Sequence, residues 1–184
     1  VTLEFKPWPK TPRLNGASMV ITEKIDGTNA CVIVTEDGQV GAQSRNRLIT
    51  PENDNAGFAR WVDENQGQLL HDLGPGYHYG EWWGSGIQRG YGLSNGEKRF
   101  SLFNTGRWAG VEFDIPALSV VPTLCRYQLD TDVIRTVVEE LSEEGSMAQP
   151  GFMKPEGVIV YIPRADKVFK VLIENDDIPK GLVA

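Results

Sequence analysis

Apolar and polar positions divide the chain into short β-prone runs and two segments of helical period. Met19-Val20-Ile21 and Ala30-Cys31-Val32-Ile33-Val34 are β-branched runs of strand length on either side of a polar stretch, Glu23-Lys24-Ile25-Asp26-Gly27-Thr28-Asn29. Read locally, the two runs make a hairpin. Asp37-Gly38 then turns the chain into Val40-Gly41-Ala42-Gln43-Ser44. From Asn55 to Leu73, the residues Phe58, Trp61, Val62, Leu69 and Leu70 recur at helical spacing, with a break predicted at Gly67 and an end at Gly74-Pro75-Gly76. Strands are predicted over residues 77–84 and 100–104, separated by a glycine-rich loop from Ser85 to Gly92. Asp130 caps a helix whose apolar face is Val133, Ile134, Val137, Val138 and Leu141 and whose end is Gly145. Its other side carries Glu139, Glu140, Glu143 and Glu144 and faces water. Two more β-prone runs follow, at 156–161 and 167–173. At the front, residues 1–16 hold Pro7, Pro9 and Pro12 around Trp8, which predicts an extended arm pinned by one aromatic.

A length of 184 residues suits one domain with a sizeable core. The net charge of −7 argues against a general nucleic-acid coat protein. One stretch runs against it: Arg89, Lys98, Arg99 and Arg107 oppose only Glu97, with Tyr91 and Trp108 interleaved. It reads as a phosphate-tracking surface or as a solvated basic loop. Cys31 and Cys125 have no CxxC spacing and only His71 and His78 accompany them, which argues against a zinc site or disulfide framework and makes a reducing cytoplasm the default compartment. No apolar run approaches the roughly 20 residues of a membrane span, and no signal peptide opens the sequence.

Several residues carry candidate chemistry. Lys24 lies between the carboxylates Glu23 and Asp26, beside a glycine that allows a tight turn or the close approach of a ligand. A lysine amine so placed is a candidate nucleophile, and the same residues would also serve a solvated turn. Arg45 and Arg47 end the third strand, where they face either a cleft or water. Glu81 stands among Tyr79, Trp82 and Trp83, so it needs a cation, a sugar hydroxyl or water as partner. Glu156-Gly157 opens a strand. Lys170 interrupts an apolar one, as a functional cation or as an edge guard.

In their order, Lys-x-Asp-Gly, Ser-Arg-Asn, Gly-Glu, a Phe-containing strand, Glu-Gly-Val and a final strand lysine resemble the covalent nucleotidyltransferase superfamily of polynucleotide ligases and capping enzymes. The tracts Glu23 to Asn29 and Gly80 to Gln88 resemble its RNA ligase 2-like branch most closely. The resemblance implies an α+β adenylyltransferase domain (ATP-grasp-like), with antiparallel sheets flanked by helices around a nucleotide cleft. It spans 1–184 as a single domain, with no accessory domain after it. It implies an ATP-dependent RNA ligase that needs Mg2+ or Mn2+. Lys24 takes AMP from ATP, and the AMP then activates a 5′-phosphate end for sealing to a 3′-hydroxyl, with nicked duplex RNA and RNA repair as the setting. It implies catalytic roles for Lys24, Asp26, Glu156 and Lys170, with Lys170 on the α-phosphate. Glu23, Asn29, Arg45, Glu81 and Phe103 would bind the nucleotide, Glu81 at the ribose and Phe103 against the adenine. Glu156 would act at the metal, with Asn29 reaching it through water, and Gln88, Arg89 and Arg47 would meet nucleic acid. One departure stands out: Leu172 occupies the second position of a Lys-x-Lys pattern. A DNA ligase, a GTP-using capping enzyme and a non-catalytic nucleic-acid-binding module remain alternatives.

Overall fold

In a computed structural model, which describes residues 3–177, two β-sheets face each other across a cleft. The first sheet has the order β10-β9-β1-β8, formed by Lys167–Leu172, Gly157–Ile162, Ser18–Lys24 and Thr123–Gln128. The second has the order β4-β3-β2-β5-β6-β7, formed by Leu48–Ile49, Val40–Ser44, Thr28–Val34, Gly76–Gly84, Lys98–Leu102 and Leu118–Val120. All pairings are antiparallel except β6 with β7, which is parallel and departs from the expected all-antiparallel sheets.

Strand alternation sorts side chains between core and cleft. In the first sheet Met19, Ile21, Val158 and Val160 pack on Val137 and Leu141 of helix α3 (Thr131–Glu144). Val20, Thr22 and Lys24 turn to the other face and line the cleft. Asp130 caps α3 by accepting from the Asp132 and Val133 N–H groups, as its position predicts. In the second sheet Val32, Trp82 and Phe100 pack on Phe58 and Val62 of α1 (Phe58–Glu64) and on Leu69 and Leu73 of α2 (Gln66–Leu73). Tyr77, Tyr79 and Glu81 of β5 face the cleft. A third cluster of Ile25, Trp83, Tyr91 and Val121 joins the two sheets at one end.

The structure differs from the sequence expectations at several points. β1 and β2 do not form a hairpin: β1 is enclosed by β8 and β9, β2 by β3 and β5, and residues 25–27 carry the chain from one sheet to the other. The long helix breaks at Asn65, whose Nδ2 donates to Trp61 O at 2.7 Å, and not at Gly67. The arm is not pinned by its aromatic, since Trp8 is 91% exposed; Arg164 Nη1 holds its root by donating to Arg13 O (2.9 Å) and Asn15 O (3.3 Å). Residues 1 and 2 of that arm lie outside the described residues. The basic stretch is not one phosphate-tracking surface either. Tyr91 and Trp108 are buried, and Arg99 pairs with Glu97, donates to Gln149 and covers the Trp83 ring. Among the described residues no helix is long and apolar enough to cross a membrane.

Candidate active site

Lys24 ends β1, two residues after the register of β1 on β8 shifts between Ile21 and Thr22. Such a bulge re-aims the residues beyond it. The Lys24 Nζ donates to Glu156 Oε2, with the amine side chain 19% exposed and the carboxylate 3%. Glu156 precedes Gly157, which pairs with Lys24 across the sheet. Gly157 has a φ of +155°, and a Cβ there would lie 2.2 Å from Val171 O, so β10 can pass this close only because the residue is glycine.

Gly27 answers a similar demand in the crossing between sheets. A Cβ on it would meet Trp82 O at 2.4 Å. Without one, the crossing lies against β5 and the Gly27 N–H donates to Glu81 Oε1 at 3.0 Å. Glu81 Oε2 accepts from Asn29 Nδ2 at 3.0 Å, and Asn29 Oδ1 accepts from Arg45 Nε at 3.0 Å and Nη2 at 2.5 Å. Burial pushes the Glu81 carboxyl up to about 7, against the pull of the Lys24 charge and the Gly27 N–H. The Glu81, Asn29 and Arg45 side chains thus form one connected polar chain along the wall opposite Lys24.

A second set of contacts holds this arrangement from behind. The Asp26 N–H donates to Tyr91 Oη at 2.8 Å, and Arg89 Nε donates to Asp26 Oδ2 at 3.1 Å. Arg89 Nη1 also donates to Lys154 O (2.9 Å) and Pro155 O (3.3 Å), tying the lysine loop to the segment that delivers Glu156. Glu23 is buried on the face away from Lys24. Its carboxylate accepts from Ser146 Oγ at 2.6 Å and from the Met147 and Ala148 N–H groups at 2.8 Å each. Burial raises its carboxyl, and those donors offset part of the rise.

Of the residues singled out in the sequence, Lys24, Asp26, Asn29, Arg45, Glu81, Phe103 and Lys170 line one cavity of about 1,070 Å³, and Glu156 reaches it through Lys24. Lys170 is in register with Ile159, and Ile159 with Thr22. Leu172 is in register with Gly157, in the same row as Lys24. The other candidates are engaged differently. The Glu23 carboxylate holds the 146–148 loop, and Arg89 is a clamp. Arg47 donates to Asn53 O and Asp54 O and closes its own loop. Gln88 is exposed with a φ of +44°. Sequence reasoning missed Tyr77, Tyr79, Arg107 and Arg126 as cleft residues. The alternation that aims Glu81 into the cleft signals the two tyrosines as well.

The donor set fits a hard divalent cation. Glu81 offers carboxylate oxygens at the cleft and Glu156 stands behind Lys24, and Mg2+ or Mn2+ is held by one or two such groups together with water and phosphate. Asn29 Oδ1 is committed to Arg45, so a contact with metal-bound water would compete with that bond.

The model of the RNA ligase family matches residues 17–172. Among solved structures, Naegleria gruberi RNA ligase variants superpose with TM-scores of 0.58 (with AMP and Mn, 20% identity, 86% of this chain and 50% of that one) and 0.59 (with ATP and Mn, 20% identity, 85% and 50%). The same ligase with PPi gives 0.59 at 20% identity, over 86% of this chain and 50% of that one. The chain therefore spans about half the length of that ligase and shares its mixed α+β fold. No curated protein matches the sequence. The family match covers most of the chain and takes in every strand described above: this protein belongs to the RNA ligase family.

Proposed function

We propose that the chain is the adenylyltransferase domain of an ATP-dependent RNA ligase, with the nucleotidyltransferase fold and Lys24 as its nucleophile. The observation that carries this reading is the Lys24 amine paired with the nearly buried Glu156 at the inner end of a cleft lined by Glu81, Arg45 and Phe103. The Lys24 Nζ attacks the α-phosphorus of ATP. An N–P bond forms, the P–O bond to pyrophosphate breaks, and Glu156 takes the proton that the amine gives up. Lys170 and Arg45 hold phosphate oxygens, Glu81 receives a ribose hydroxyl, and Phe103 stacks on the adenine. A bound divalent ion would neutralise phosphate charge during this transfer. The AMP then passes from Lys24 to a 5′-phosphate RNA end, and a 3′-hydroxyl displaces it to seal the strand, with nicked duplex RNA as the substrate and repair as the role. Two free cysteines suit a reducing cytoplasm.

Incubation with α-labelled ATP or GTP, followed by denaturing electrophoresis, tests the reading. Label from ATP is expected on the wild-type chain and none on Lys24→Ala, with the variant shown folded by circular dichroism at the assay temperature, since Glu156 loses its partner. Label on another lysine, or from GTP in preference to ATP, would overturn it.

A further inference from the structure

The cleft changes character away from Lys24. Along β5, Tyr79 and Tyr77 stand on the same face as Glu81, about 7 and 13 Å further out at the rise of a strand. Their rings stack, with centroids 6.3 Å apart and planes 18° apart, and remain 54% and 59% exposed. Phe103 N–H donates to Tyr79 O at 3.0 Å, which sets Phe103 beside Tyr79 on the neighbouring strand, and all three rings line the cleft. Two guanidinium groups line the same cleft. Arg107 lies beside Gly76, where a Cβ would be 3.6 Å from Nη1, and donates to Leu73 O at 3.2 Å. Arg126 stands on β8 opposite Val20 and donates to Thr105 Oγ1 at 3.4 Å. The carboxylates that line the cleft, Asp26 and Glu81, both lie at the Lys24 end. The outer end therefore combines flat, exposed, mutually ordered rings with two cations and, among the described residues, no lining acid, in a chain of net charge −7.

We propose that Tyr77 and Tyr79 form a stacking platform for a base unstacked at the RNA strand end that enters the cleft, with Arg107 and Arg126 on its phosphates. Aromatic faces bind bases of any sequence, and guanidinium groups follow the backbone, so the platform orders an end without reading it. The proposal rests on the ligase reading for the identity of the strand. It assigns the tyrosines to the polynucleotide, because Phe103 is level with Tyr79 and the pair extends past it to Tyr77, two residues further from Glu81.

Fluorescence anisotropy with a 5′-phosphorylated, 3′-labelled single-stranded RNA of about ten nucleotides tests it on the 184-residue chain, beside adduct formation with labelled ATP. Tyr77→Ala is expected to weaken RNA binding by about tenfold or more, and Tyr77→Phe by less than about twofold, because stacking needs the ring and not the hydroxyl. Both variants should form the AMP adduct at the wild-type rate and melt at the wild-type temperature, as Tyr77 is more than half exposed. Wild-type RNA affinity in Tyr77→Ala would overturn the platform. So would a matching loss of adduct formation, which would move Tyr77 into the nucleotide site. If the wild-type chain forms no adduct, the ligase reading falls, and the anisotropy comparison still decides the platform.

Discussion

Glu81 is held by two opposed demands. Burial lifts its carboxyl to about 7, while Gly27 N–H and Asn29 Nδ2 both bond better to the ionised form. Between its ordinary value of 4.5 and about 7, the folded protein keeps a proton that the unfolded chain has released, so folding stability falls as pH rises through that window. The effect has an upper size of about 3 kcal/mol. Urea unfolding between pH 5 and 8 should show this decline in the wild type and a flatter profile in Glu81→Gln, with a residual slope from the raised Glu23 carboxyl. An equally steep profile in the variant would assign the slope elsewhere. The need of Glu81 for a partner was legible in the sequence, because a carboxylate among aromatic residues has to be satisfied. The identity of the partners was not, since Gly27 and Asn29 become neighbours of Glu81 only when β2 pairs with β5.

At the scale of elements, the strands and helices were largely readable from periodicity, and their partnerships were not. β1 and β2 look like a hairpin because three residues separate them, yet both edges of β1 are taken by strands about a hundred residues and more away. β8 escaped notice because its residues are half-buried or exposed and give no apolar run. Glu23 shows the same limit. It adjoins Lys24 in sequence, but strand alternation sends it to the opposite face, where it fastens the segment after α3. Glu23→Ala strips a hydroxyl and two N–H groups of their acceptor and should cost about 2–4 kcal/mol by chemical denaturation. The KM for ATP of the folded enzyme should stay unchanged. A raised KM at unchanged stability would return Glu23 to the nucleotide site.

For the whole molecule, charge sets what the cleft does well. Arg47, Arg89 and Arg99 are committed to internal partners, which leaves few cations to track a polynucleotide in a chain of net charge −7. Adduct formation needs the cleft alone, whereas sealing needs several phosphate contacts and weakens steeply with salt. At about 150 mM salt the chain should therefore adenylylate itself readily and seal nicked RNA slowly, the second rate falling further as salt is raised. Nick sealing as fast as adduct formation under those conditions would refute this. The crossing from β1 to β2 has a mechanical consequence. Its three residues reach about 11 Å at full stretch, so at that corner the walls can swivel but cannot part. Val20, opposite Arg126, and Tyr77 each stand four residues from the corner pair Lys24 and Glu81, so the widest travel falls at the outer end. On the ligase reading the molecule would be a pair of jaws with Lys24 at the pivot, its amine nearly fixed while strands enter and leave at the tips.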